Sequence, residues 1–149
     1  MHALLIALAM MPAAAPDTRC TAPEARIAVS RFAAEFNRGD LRALDRRFEP
    51  AGRFYWYSTP APGQRFNAAA KDRATLIPYF KARHARHERL TLRSFKFNGT
   101  PQDALYGNFE YTLTRRADDL RPTPYVGKGA LFCHRGRGDR IFVWSMSSG

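Results

Sequence analysis

The chain has 149 residues, 45% hydrophobic and 25% charged, which fits one globular domain and excludes an intrinsically disordered chain. Its 24 Lys and Arg residues against 13 Asp and Glu give a formal net charge of +11, a positive field that favours anionic partners without naming one. Two cysteines are too few for a disulfide-framework miniprotein or a four-cysteine zinc site.

Residues 3–11 are an unbroken apolar run followed by Pro12 and Ala13-Ala14-Ala15, which predicts a secretory signal peptide over residues 1–15 ahead of a single domain over 16–149. Such a run reaches only about 14 Å as a helix, half of a bilayer's hydrocarbon core, so no transmembrane anchor is expected. Asp17-Thr18-Arg19 is too polar for a lipidation site at Cys20. Export would bring Cys20 and Cys133 into an oxidising compartment, where the even count favours a disulfide; the alternative is two unrelated thiols, with Cys133 a small core residue.

Thr21-Ala22-Pro23-Glu24 has capping-box spacing, and Val29, Phe32, Ala33 and Phe36 follow at helical intervals, predicting an amphipathic helix over 23–38. Gly39 ends it and Asp40 caps a second helix whose Leu41, Leu44 and Phe48 share a face up to Pro50. Phe54-Tyr55-Trp56-Tyr57 reads as a strand, and Asp72 as the cap of a third helix to about His84 that Pro78 should kink or shorten to a start near Thr75. From Glu88 the period becomes two. Leu90 and Leu92 have one parity and Phe95 and Phe97 the other, which requires a bulge near Arg93-Ser94. Leu105, Gly107, Phe109, Tyr111 and Leu113 line one face of the next strand; strands over 126–134 and 140–147 follow, joined by a turn at 135–139. Helices early and consecutive strands late argue for an α+β fold with the helices on one face of a curved antiparallel sheet.

The segment from Ala28-Val29-Ser30-Arg31-Phe32 through Asn37-Arg38-Gly39-Asp40-Leu41 to Phe48, with Asp72-Arg73-Ala74 and the closing Ile141-Phe142-Val143-Trp144-Ser145-Met146, resembles the nuclear transport factor 2-like superfamily, which includes SnoaL-like and ketosteroid-isomerase-like proteins. The resemblance spans roughly residues 23–148. It implies a cystatin-like cone in which a curved antiparallel sheet and three N-terminal helices enclose a pocket, with a homodimer through the sheet as a possible assembly. The isomerase chemistry does not carry over residue by residue. Phe32 stands where those enzymes have an oxyanion-stabilising tyrosine, Trp56 and its neighbours stand where they have the base, and Gly127-Lys128-Gly129-Ala130-Leu131-Phe132-Cys133-His134 holds no acid.

His84 and His87 lie three apart with Glu88 beside them, a spacing open to a metal site or a general base, although Lys81 to Arg89 reads first as a solvated basic helix end. Glu110 is either a solvent-facing strand residue or a buried acid paired with Arg93 or Lys128; the former is favoured. No metal or cofactor is expected. Phe32, Tyr55, Trp56, Tyr57, Tyr111, Phe132 and Trp144 are the candidate lining of a ligand pocket, against ordinary core packing. The resulting expectation is a secreted bacterial protein that binds a small, partly apolar molecule without catalysis. The alternatives are a SnoaL-type cyclase, isomerase or hydrolase using His84, His87 or Glu110, and a basic adaptor for an anionic polymer.

Overall fold

A computed structural model describes residues 20–49, 55–58, 67–70, 73–99, 106–133 and 138–148, with backbone alone for 55–58, 67–70 and 73. The expected signal peptide, the Asp72 cap and most of the 135–139 turn lie outside these residues.

Helix α1 (Ala22–Arg38) begins with the expected capping box: the Thr21 side chain accepts from the Glu24 N–H, and the Glu24 carboxylate accepts from the Thr21 N–H at 2.9 Å. It ends at Gly39, whose φ of 68° suits a residue without a side chain. The Asp40 side chain then caps α2 (Leu41–Arg47), and Arg47 donates to Glu35 at 2.6 and 3.1 Å, tying the two helices together. Beyond α2, Glu49 N–H donates to the Ile141 carbonyl, so the exit of the helix pair runs along the last strand.

The strands are β1 (Tyr55–Ser58), β2 (Asn67–Ala70), β3 (Arg89–Gly99), β4 (Tyr106–Ala117), β5 (Leu120–Phe132) and β6 (Arg140–Ser148), with α3 (Arg73–Ala85) between β2 and β3. They form one sheet in the order β2-β1-β6-β5-β4-β3. The expected α+β architecture holds, with two corrections: β2 was not anticipated, and β1 pairs parallel to β6 in an otherwise antiparallel sheet. The short Asn67-Ala68-Ala69-Ala70 segment has none of the β-branched or aromatic residues that mark a strand and exists through its pairing with β1. Helix α3 starts at Arg73 and carries Pro78 inside it, earlier than the shortened alternative. Strand β5 also starts six residues before its expected first residue, Val126, despite Pro122 and Pro124. Its pairing with β6 begins only at Tyr125, so on that side these prolines oppose no strand among the described residues.

The parity change in β3 appears as a register shift: Leu92 opposes Leu113 and Ser94 opposes Thr112, leaving Arg93 as the extra residue. Edge strand β3 is fastened to α1 by Asn37, whose side chain accepts from Leu90 N–H and donates to Leu90 C=O, each at 2.8 Å. Cys20 and Cys133 form a disulfide with Cα atoms 5.2 Å apart, fixing the start of α1 to the end of β5. The core lies between α1 and the sheet, where Ala25, Ala28, Val29, Phe32 and Phe36 of α1 join Leu90, Phe109, Tyr111, Leu113, Leu131 and Trp144 of the strands.

Candidate ligand site inside the cone

The inward row of β4 reads Gly107, Phe109, Tyr111, Leu113, Arg115, all buried. Its apolar part belongs to an aromatic wall. Trp144 lies 4.4 Å from Phe32 and 4.2 Å, stacked, from Tyr111, while Phe80 is 6.1 Å from Phe32 between ring centroids. Tyr111 reaches beyond the wall: it crosses Gly127 and donates its hydroxyl proton to the Ser145 carbonyl at 2.8 Å. A Cβ on Gly127 would stand 2.2 Å from the Tyr111 ring and 2.5 Å from that carbonyl, so only glycine fits there. Burial pushes the Tyr111 hydroxyl well above its ordinary pKa, against the opposing influence of Arg115, and keeps it a donor.

The row ends in a charge. Arg115 is 1% exposed, and its guanidinium clasps Glu88, also 1% exposed, at 2.9 and 3.2 Å. The Tyr79 hydroxyl lies 3.4 Å from the same guanidinium, and the Tyr125 ring packs 4.9 Å beneath it. Burial works against the Arg115 cation, but Tyr79 and Glu88 more than offset it and hold its pKa above the ordinary arginine value. Arg83 also donates to Glu88 and forks onto Asp119 at 2.9 and 3.0 Å, and that contact lowers the Asp119 pKa. The interior therefore grades from aromatic to ionic along one strand. Extending the β4 alternation by two residues beyond Leu113 would have found Arg115; nothing local in the sequence marks Glu88, at the corner after α3, as its partner.

The anticipated pocket residues divide. Phe32 and Tyr111 each contact Trp144 inside the cone, and β1 sets Trp56 in register with Trp144, although the side chains of Tyr55, Trp56 and Tyr57 lie outside the described residues. Phe132 instead stacks on Phe142 at 4.5 Å and meets Tyr106 edge-on, a separate cluster at half-buried strand positions. His84, His87 and Glu88 do not converge. The His84 ring abuts Gly39, where a Cβ would lie 2.4 Å away, and its Nδ1 is buried without a hydrogen-bond partner among the described residues. His87, at φ 52°, is exposed and meets Asp118 at 2.8 Å. Glu88 turns inward to Arg115, unlike the solvated helix end expected of this segment, because the buried guanidinium needs a counter-charge. Glu110 faces outward between Lys96 and Lys128 in the sheet register, 3.6 Å from Lys128, beside a furrow of about 600 Å³ that Ser94, Thr112, Val126 and Ser147 also line. Among the described residues, no three His, Cys, Asp or Glu side chains gather as metal ligands, and no helix is long and apolar enough to cross a membrane.

Solved structures supply the comparison. An NTF2-like protein with a cystatin-like fold from Novosphingobium aromaticivorans superposes with a TM-score of 0.59 at 15% identity, over 85% of this chain and 80% of that one. A proposed dehydratase of the NTF2-like family from Streptomyces avermitilis gives 0.64 at 14% identity, over 85% and 94%. This chain has the nuclear transport factor 2-like, cystatin-like fold. A further cystatin-like protein, from Caulobacter vibrioides, gives 0.64 at 7% identity over 85% and 88%. No protein-family model and no curated protein sequence matches the chain.

Proposed function

We propose that this nuclear transport factor 2-like protein is exported and binds, without transforming it, a small and largely apolar molecule that has one polar end. The observation that carries this reading is the inward row of β4, in which Phe109, Tyr111 and Leu113 lead to Arg115. Such a gradient suits a ligand whose body lies against rings and whose polar group is turned toward the ionic end of the row. The register of β1 beside β6 adds the Tyr55-Trp56-Tyr57 segment to the same side of the sheet order as Trp144. Isomerase-type catalysis fits poorly, because Phe32 offers no hydrogen-bond donor and is enclosed by Phe36, Phe48, Phe80 and Trp144. The Cys20–Cys133 disulfide supports export through the leader read in residues 1–15.

Native mass spectrometry of protein isolated from its own host should show a retained small molecule that is released on denaturation. Trp144→Phe should lower retention by about two- to tenfold, the range of one lost aromatic contact. His84→Ala, His87→Ala and Glu110→Gln should leave it unchanged. The second reading, a lyase, is favoured by the proposed dehydratase with this fold. Turnover of a hydroxylated substrate that disappears with one of those three substitutions would replace the binding reading with it.

A further inference from the structure

At the closed turn joining β4 to β5, the chain builds a groove of about 450 Å³ whose lining includes His87, Arg89, Arg116, Asp118, Leu120 and Arg121. Arg89 and Arg116 are direct register partners on β3 and β4, so two guanidinium-bearing residues stand opposite each other where like charges cost stability. Acids are close, yet each already has a partner. Asp119 takes the Arg83 fork, and Asp118 is held by His87 through its carboxylate and by the Arg86 carbonyl through its N–H at 2.9 Å. Among the described residues, Arg89, Arg116 and Arg121 form no ion pair; Arg89 donates only to the Glu88 carbonyl, at 2.9 Å.

The turn is thus pinned at both acids, and three arginines line the groove against a single carboxylate, that of Asp118, which His87 already engages. Solubility alone would be served by interspersed signs. Guanidinium groups present paired donors that match the oxygens of phosphate, and they keep their charge at any physiological pH. We infer that this groove is an anion site, separate from the cone interior, that takes a phosphate-bearing ligand. The phosphate can belong to a small phosphorylated molecule or to a chain of phosphates; the chemistry recognised is the same.

The test uses calorimetric titration of the full mature chain at low salt, with inorganic pyrophosphate as one probe and long-chain polyphosphate as the other. Arg116→Ala/Arg121→Ala should weaken binding by about tenfold or more, as expected for lost charge-assisted hydrogen bonds. Arg31→Ala/Arg42→Ala removes the same charge from exposed positions on α1 and α2 and should change affinity by no more than about twofold. Should the first pair destabilise the chain, Arg121→Gln alone repeats the comparison. Groove-dependent binding of both probes would assign a small phosphate ligand, and groove-dependent binding of polyphosphate alone would assign a chain. Equal loss in the two double variants would reduce the effect to the overall positive field and overturn the site, as would failure of both probes to bind.

Discussion

Two glutamate–cation pairs show how differently the same chemistry acts on the two faces of this sheet. Glu110 and Lys128, opposite each other on β4 and β5, meet at 3.6 Å with side chains 40% and 77% exposed. Glu88 and Arg115 meet at 2.9 Å with side chains 1% and 2% exposed. Water screens the outer pair, whose formation also restricts two long side chains, so its net contribution is small. The inner pair has given up hydration on both ions, and each ion now depends on the other. Its geometry is correspondingly complete: a two-pronged clasp, a tyrosine hydroxyl and an aromatic face.

The sharpest way to break this comparison is Arg115→Ala, which leaves Glu88 buried with Arg83 as its remaining cationic partner. Chemical denaturation should report a loss of about 3 to 5 kcal/mol. A loss below 1 kcal/mol would mean that water reaches the pair and that the two faces do not differ. Removing the disulfide by Cys20→Ser/Cys133→Ser gives a yardstick independent of ion burial, because its main effect is on the unfolded chain. For a separation of 113 residues the expected loss is about 2 to 5 kcal/mol, unchanged by salt. A strongly salt-dependent loss would contradict that origin.

Alkaline titration sharpens the contrast further, since Tyr111 and Tyr125 lie on the inner face and burial raises both hydroxyl pKa values. The folded state therefore favours the protonated phenols. Their stabilising contribution is complete below the ordinary tyrosine value near 10 and is lost as pH rises above it, by up to about 1.4 kcal/mol per pH unit for each group. Thermal melts across that range should show a falling Tm, less steep in Tyr111→Phe; parallel curves would discount the Tyr111 contribution. The smallest effect belongs to the outer pair. Glu110→Gln should change stability by less than about 1 kcal/mol, and by still less in high salt.

What the sequence disclosed followed the range of the interaction concerned. The capping box at Thr21-Ala22-Pro23-Glu24, the corner at Gly39-Asp40 and the β3 bulge are set by neighbours a few residues apart, and each was readable. Strand β2 was not, because its alanines acquire strand geometry only from β1. The early start of β5 was hidden by Pro122 and Pro124, which forbid a central strand but are compatible with an overhang beyond the end of β6. Within the site, alternation carried Phe109 and Tyr111 inward, whereas Glu88–Arg115 joins residues 27 apart across a corner and a strand. The pairing of Cys20 with Cys133 was readable for a different reason: two cysteines allow one connectivity.

The Tyr111 hydroxyl links strands that are not neighbours, passing from β4 over the bare backbone of β5 to the Ser145 carbonyl on β6. Peeling β6 away requires breaking its ladders with β5 and with β1 and also withdrawing a ring wedged over Gly127, which rests in turn against Trp144. The tyrosine acts as a crossbar over three adjacent strands, joining β4, β5 and β6 in one cooperative unit.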